Sequence, residues 1–433
     1  MRLSSSGRGL FSLLVVLATS NVLVARVQQG MVADNPTDLL RIGDKVIKIN
    51  EAISMVQGFG NTFMVTTEEG NVIIDTSIAL HAGKHHQLLT AENKGAIKYI
   101  ILTHAHGDHT GGVPLWKQAG TQIIAQKNHV EFVHYQTRLA GFYGKRNAAQ
   151  FGLSVPPQRA WAGNYGGKIE PTILFDDKYE FTLGGIKFEV YRTPGETYDH
   201  LTVWIPKYKA AFTGDNYYES FPNIYTLRGT QPRWALDYVS SLNKVLELKP
   251  EIALPSHGRP INGNPEIARR LTRYRDAIQY VHDAVVTGMN DGKDVYTLMN
   301  EIKLPSALDI GESYGNLIWS IRGIYEGYVG WFDLNPATMY ERPASSVYPE
   351  VVKLAGGPEA IAALAAQRVE TGDAVAALHL TNIALAADPR HRRALDARLK
   401  ALEILRSRCK NTNERGWLDY SIKVTTERLD QKK

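Results

Sequence analysis

His104-Ala105-His106-Gly107-Asp108-His109 is the stretch on which the reading of this chain turns. It follows IKYIILT at residues 97–103, a continuous β-branched and apolar run that reads as a buried strand. The hexapeptide is therefore a loop at a strand end. Three imidazoles and a carboxylate within six residues are unfavourable to crowd together unless a cation takes up their lone pairs. That mixture of nitrogen and oxygen donors suits zinc. Gly107 lets the backbone turn sharply, and Gly111 and Gly112 let it leave again.

Downstream of the loop, residues 121–125 read as a strand and residues 128–133 as the start of a helix. Residues 139–152 (LAGFYGKRNAAQFG) read as a loop of unusual composition, with Lys145 and Arg146 beside aromatic rings, a mixture that suits an anionic head joined to an apolar tail. Strands at 186–192 and 201–205 flank the turn Thr193-Pro194-Gly195-Glu196-Thr197. An apolar run at 210–213 leads to Gly214-Asp215, and another at 252–254 leads to Pro255-Ser256-His257-Gly258. Upstream, residues 42–75 alternate short apolar runs with Gly and Asn turns, a β-rich meander that ends at Asp75. From its residue type, Asp75 reads as a strand-terminating acceptor of N–H groups of its own turn. His81, His85 and His86 fall on an expected helix at 80–92 and are read as solvated.

The H-x-H-x-D-H run resembles the signature of the metallo-β-lactamase superfamily. The resemblance implies that His104 and His106 hold one zinc and that Asp108 and His109 hold a second. That superfamily carries an Asp at the end of the meander that orients the metal loop, the role the resemblance gives Asp75, and its turn corresponding to residues 193–197 usually reads P-G-H-T, with His as a ligand; here Glu196 stands there, and His200 is the fallback. Asp215 falls at the position of the metal-bridging carboxylate, and His257 at that of the last ligand. Residues 228–234 and 320–337 (SIRGIYEGYVGWFDLNPA) look like the corresponding stretches of the alkyl sulfatases, a family that also uses Glu where most relatives use His. Two departures are visible. The bridging carboxylate is Asp215 rather than the usual Glu, and the family's A-G-N-x-x-S-R-R reads Ala140-Gly141-Phe142-Tyr143-Gly144-Lys145-Arg146-Asn147, so Phe142 replaces an amide that helps hold sulfate.

What the resemblance implies is hydrolysis of an alkyl or aryl sulfate ester to an alcohol and inorganic sulfate by metal-activated water, with two Zn2+ per subunit. Asp108 and Asp215 would serve as catalytic carboxylates, and Arg228, Arg146 and Tyr325 would bind the small anionic substrate. A second reading keeps the chemistry and changes the ester to a lactone, β-lactam or phosphoester; Phe142 favours it and Glu196 opposes it. A third makes the chain a non-catalytic assembly protein with a vestigial metal site.

The 433 residues, 44% of them hydrophobic, are ample for a large core. The expected fold class is α/β (α+β): an αββα metallo-β-lactamase sandwich over residues 40–262, followed by an α-helical dimerisation domain over 263–430. Helices are expected at 347–355, 358–371, 373–387 and 391–408, with a tetratricopeptide-like hairpin around Gly372-Asp373. The alkyl sulfatases interlock two subunits through such a domain, so a homodimer is expected. A net charge of +5 without long basic runs argues against nucleic acid as a partner. Arg2 and Arg8 before an apolar stretch at 10–25 read as a signal peptide over residues 1–25, which implies a periplasmic or secreted protein with no stable membrane span. Cys409 is the only cysteine, so no intrachain disulfide can form. The longer sulfatases carry a further lipid-binding-like domain for which this sequence has no room, and shorter, less greasy substrates are expected.

Overall fold

Strand β3 shows how the first layer is built, because its side chains alternate between two hydrophobic clusters. Phe63 and Val65 enter one cluster while Met64 enters another on the opposite face. The computed structural model describes residues 43–151 and 169–431, so the expected signal peptide lies outside the described residues. Seven strands form the first sheet in chain order: β1 (Ile47–Lys48), β2 (Ile53–Val56), β3 (Thr62–Thr67), β4 (Gly70–Ile74), β5 (Ile97–Ile101), β6 (Gln122–Gln126) and β7 (Ile173–Phe175). Pairing is antiparallel as far as β4 and parallel from β4 to β7. Parallel neighbours need crossovers, and helices supply them. Helix α1 (Ala79–Glu92) joins β4 to β5; the one-turn helices α2 (Gly107–Thr110) and α3 (Val113–Trp116) join β5 to β6; α4 (His129–Arg138) and α5 (Ala140–Gln150) follow β6.

Two expectations are corrected in this layer. The stretch read as a loop at 139–152 is largely helix α5, because Tyr143, Asn147 and Gln150 recur at helical spacing and all three are buried. His81 and His85 are not solvated: one turn apart on α1, both are fully buried beneath the β2–β3 turn, where Phe59 N donates to His81 Nδ1 (3.3 Å) and His85 Nδ1 meets Thr62 Oγ1 (3.0 Å).

The second sheet runs β13-β12-β11-β10-β9-β8, from β8 (Lys178–Leu183), β9 (Ile186–Arg192), β10 (Leu201–Ile205), β11 (Ala210–Gly214), β12 (Ile252–Pro255) and β13 (Ile261–Asn262). Its one parallel pair, β11 with β12, is bridged by helix α6 (Ala235–Glu247). The sheets meet face to face through Phe63, Val72, Ile74 and Ile101 on one side and Phe188, Val203, Phe212 and Leu254 on the other; Phe63 and Phe212 touch edge to face at 5.1 Å. Helices α1 and α3 cover the outside of the first sheet with Leu89, Val113 and Trp116. Helix α6 covers the second, together with α7 (Asn264–Asn290), whose Ile267, Leu271, Tyr274, Ile278, Val281 and Val285 alternate at spacings of four and three. The layers are αββα.

Beyond α7 the chain is helical: α8 (Val295–Glu301), α9 (Leu317–Val329), α10 (Tyr348–Leu354), α11 (Pro358–Glu370), α12 (Ala374–Ala387), α13 (Arg392–Arg408) and α14 (Thr412–Asp430). Alanines at the contacts, among them Ala362, Ala377, Ala384, Ala394 and Ala401, let α11 to α13 approach closely. The N-termini of α12, α13 and α14 are capped by Asp373, His391 and Asn411. No described helix is long and apolar enough to cross a membrane.

Candidate functional site

The ends of β4, β5, β11 and β12 converge at one edge of the sandwich, and Asp75, just past β4, ties them together. Its Oδ1 accepts from Thr103 N (2.8 Å), and its Oδ2 accepts from Thr103 Oγ1 (2.8 Å), Ser256 Oγ (2.8 Å) and His109 Nδ1 (2.9 Å). A carboxylate can only accept, so the proton of His109 sits on Nδ1. The lone pair on Nε2 is thereby aimed at Asp108 Oδ2 (3.4 Å) and Asp215 Oδ2 (3.3 Å). Asp75 thus orients the loop, the role the resemblance implies for it. The β2–β3 turn closes over the same edge: Asn61 Nδ2 donates to the carbonyls of Pro255 (2.9 Å) and Gly258 (3.1 Å), and Phe59 lies 5.3 Å from the His257 ring. Gly60 has φ +78°, and a Cβ there would stand 1.9 Å from the Asp108 carbonyl.

Two groups of donors result. Asp108, His109, Asp215 and His257 bring one ligand atom each to within 4.8 Å of one another, and so do His104, His106 and Asp215. Asp215 belongs to both, as a bridging carboxylate would. Its Oδ2 is 3.1 Å from His257 Nε2 and 3.7 Å from His104 Nε2. His104 Nε2 is 2.9 Å from His106 Nδ1.

Glu196 stands at the margin of the second group, its Oε1 at 3.8 Å from His106 Nδ1. Its carboxylate is held by two residues that sequence reasoning did not single out: Arg233, whose Nη1 is 2.5 Å from Oε1, and Tyr238, whose hydroxyl donates to Oε2 at 2.8 Å. All three are buried. The fallback ligand, His200, is engaged elsewhere: the backbone N–H of Asp215 donates to its Nε2 (3.0 Å), and Nδ1 faces Thr193 Oγ1 (3.4 Å).

Arg228 is half-buried, and its positive charge is felt at His106, Tyr314 and Glu196. Arg146 does not lie free beside it. Its Nε donates to the Arg228 carbonyl and its Nη2 to the Leu227 carbonyl (2.6 Å). Tyr325 packs its ring against the cluster built by α6, α7 and α9. The tyrosine that senses the site's charges is instead Tyr314, on the loop before α9, whose hydroxyl is pushed well up by burial and by Glu196, Asp108 and Asp215, against the pull of Arg228. Phe142, the departure from the family pattern, is 54% exposed and lies against Arg146 at 5.1 Å.

The electrostatics follow from crowding. Burial alone would raise Asp108 and Asp215, yet His109 and His257 hold both well below the usual carboxylate range. Burial alone would lower His257, yet Asp215 and Asp108 raise it to about 10. His104 and His106 are pushed well down by burial, the first also by His109 and the second by Arg228 and Arg233. The site therefore keeps Asp108 and Asp215 ionised and His104 and His106 neutral, the forms in which these groups bind cations, while His257 and His109, raised by the same carboxylates, hold protons that a cation would displace. Buried His109 Nε2 and Asp215 Oδ1 have no hydrogen-bond partner, which is what donors reserved for a cation look like. The residues fit a divalent metal centre.

A two-sheet sandwich with such a donor edge is the architecture of a metallohydrolase. Residues 55–257 match the metallo-beta-lactamase superfamily and residues 295–424 match the alkyl sulfatase dimerisation family. It is 28% identical over 380 residues to a linear primary-alkylsulfatase of Pseudomonas, covering 82% of this chain and 72% of that one. To the alkyl/aryl-sulfatase BDS1 of Saccharomyces cerevisiae it is 27% identical over 392 residues, covering 83% and 60%. To an (R)-specific secondary-alkylsulfatase of Pseudomonas it is 25% identical over 375 residues, covering 80% and 57%. The solved structure of the stereoselective inverting sec-alkylsulfatase Pisa1 from Pseudomonas superposes with a TM-score of 0.80 at 22% identity, over 88% of this chain and 65% of that one. The chain thus spans 72% of the first relative and less than two thirds of the other two and of the solved structure.

Proposed function

We propose that this chain hydrolyses alkyl or aryl sulfate esters to an alcohol and inorganic sulfate. The observation that carries the reading is Arg228, a cation presented beside two donor clusters in a chain whose relatives include primary and secondary alkylsulfatases. The proposed ions are two zincs, one held by Asp108, His109, His257 and Asp215, the other by His104, His106 and Asp215 with Glu196 at its margin. When bound, they would supply Lewis acidity and bring the pKa of bound water down to about 7.

The chain's own residues do the rest. Arg228 binds the sulfate, its planar fork meeting two oxygens at once. Asp75 holds the proton on His109 Nδ1, which keeps Nε2 free to ligate. Asp215, ionised and shared between the donor groups, fixes their separation. Tyr314, whose hydroxyl burial and the site's carboxylates keep protonated, is the proposed hydrogen-bond donor to a substrate oxygen. Phe59, 5.3 Å from the His257 ring, and Phe151, edge to face with Phe59 at 5.9 Å, offer apolar surface beside the donor edge for the alcohol part of the ester.

A homodimer belongs to the same proposal. Trp331, Leu334, Tyr340 and Leu354 are 74%, 84%, 68% and 89% exposed within or beside the segment that matches the dimerisation family, and a second copy would cover them. Export to the periplasm or beyond, directed by the amino-terminal apolar stretch, completes it.

The test is sulfate release from octyl, dodecyl and 4-nitrophenyl sulfates by the zinc-loaded protein beside its His104→Ala variant. Release by the first and none by the second supports the reading. Bound zinc without release from any of the three sinks it and turns attention to lactones, β-lactams and phosphoesters.

A further inference from the structure

Helix α5 grips the loop that carries Arg228 through two residues one turn apart. Arg146 donates from Nε and Nη2 to the Arg228 and Leu227 carbonyls. Gln150 Oε1 accepts from Arg228 N (2.8 Å) and from Thr226 Oγ1 (3.1 Å). The backbone on both sides of the arginine is therefore held by one helix face.

That face is in turn held by α14, the last helix of the chain. Gly416 lies so close that a Cβ on it would stand 1.8 Å from the Gln150 carbonyl. The Arg146 guanidinium sits between two aromatic rings, Phe142 of its own helix at 5.1 Å and Trp417 of α14 at 5.5 Å. The start of α14 is fastened to the other wall of the site. Asn411 Nδ2 donates to the carbonyls of Glu312 (2.7 Å), Tyr314 (2.9 Å) and Gly315 (3.1 Å), and Asn413 Nδ2 donates to that of Tyr314 (2.9 Å). One helix of the helical region thus touches the supports of both Arg228 and Tyr314.

We infer that α14 is a brace for the anion site, with Trp417, Arg146 and Gln150 as positioning residues that set where Arg228 meets its anion. The inference rests on Arg228 as the sulfate ligand and assigns Arg146 a different part from the one its sequence context suggests: it holds the loop through carbonyls. Trp417 stabilises the guanidinium in the orientation that reaches both of them. The metal ligands lie on other loops, so the brace acts on anion affinity and leaves metal binding alone.

The experiment compares the metal-loaded full chain with Trp417→Ala, Trp417→Phe and Arg146→Lys, reading KM and kcat for an alkyl sulfate, inhibition by inorganic sulfate, and bound metal. Trp417→Ala is expected to raise both KM and the sulfate inhibition constant by about tenfold, with little change in kcat. Metal content should hold at the wild-type value. Trp417→Phe should recover most of the loss, because a ring is restored. Arg146→Lys should not, because an ammonium cannot reach both carbonyls in one plane. Sulfate inhibition in Trp417→Ala and Arg146→Lys equal to the wild type overturns the inference, as does a fall in kcat accompanied by loss of metal. Should Trp417→Ala fail to fold, the other two variants carry the comparison. Failure of Arg228 as the anion site is distinguishable, because it shows as absence of sulfate inhibition in the wild type itself.

Discussion

Replacing Asp75 by Asn keeps the shape of the side chain and exchanges one acceptor for a donor at the point where the site is tied together. Oδ2 accepts from Thr103 Oγ1, Ser256 Oγ and His109 Nδ1, and the two hydroxyls can rotate to accept from an amide instead. The imidazole cannot do so without moving its proton. With an amide N–H facing it, Nδ1 must become the acceptor and the proton passes to Nε2, the atom that points at Asp108 and Asp215. A protonated Nε2 has no lone pair for a cation. If the amide turns its oxygen to His109 instead, its nitrogen faces Thr103 N, and two N–H donors are left opposed in the interior. Either way a charge-assisted hydrogen bond worth about 1.5–3 kcal/mol is lost. Loss of such an orienting partner typically weakens a metal by about 10–100-fold, which corresponds to about 1.4–2.8 kcal/mol. The two figures agree. Competition of the apo variant with a chromophoric chelator for zinc measures the effect, and circular dichroism checks that the fold persists. Zinc affinity of a folded Asp75→Asn within twofold of the wild type would refute the argument that Asp75 sets the tautomer of His109.

Three further outcomes are expected. Arg228→Ala should raise KM for an alkyl sulfate by about 10–100-fold, the size of a lost charge-assisted contact to an anion, with zinc content unchanged by elemental analysis; loss of metal in that variant would show that Arg228 is structural. Arg233→Met leaves Glu196 buried beside Asp215 without its cation and should destabilise the fold by about 3–5 kcal/mol in chemical denaturation, while Glu196→Gln combined with Arg233→Met should recover much of the loss. His85, lowered from 6.5 to about 4 by burial and by His81, binds its proton more weakly in the folded chain than in the unfolded one. Its contribution is absent above pH 6.5, and stability falls as pH drops toward 4, by up to about 3 kcal/mol; denaturation curves of His85→Asn should be flatter across that window.

Much of the site could be read from the chain because its ligands fall just after apolar runs, where a strand end must be followed by a turn. His104, His106, Asp108 and His109 lie in one short loop, and Asp215 and His257 each follow such a run; the structure brings them to one edge. The supports could not be read in this way. Arg233 and Tyr238 reach Glu196 from 37 and 42 positions away. Nothing in the residues around either one points to that contact. Tyr325 drew attention through the motif it sits in, yet helical phase turns it to the core, and Tyr314, in an unremarkable loop, faces the charges. Residues 139–152 read as a loop because Gly141, Gly144 and a cationic pair mask the recurrence of Tyr143, Asn147 and Gln150, and the close packing at Ala149 and Gln150 comes from a partner helix far along the chain. The histidines of α1 were misplaced for a similar reason, since burial of His81 and His85 comes from a turn that folds back over them.

The donor edge draws on both sheets: the loop after β5 belongs to one, and the loops after β11 and β12 belong to the other. Neither sheet alone assembles either group, because Asp215 is common to both and arrives with the second. A divalent ion held there would take ligands from both halves of the sandwich, and the free energy with which it bound would oppose their separation along that seam.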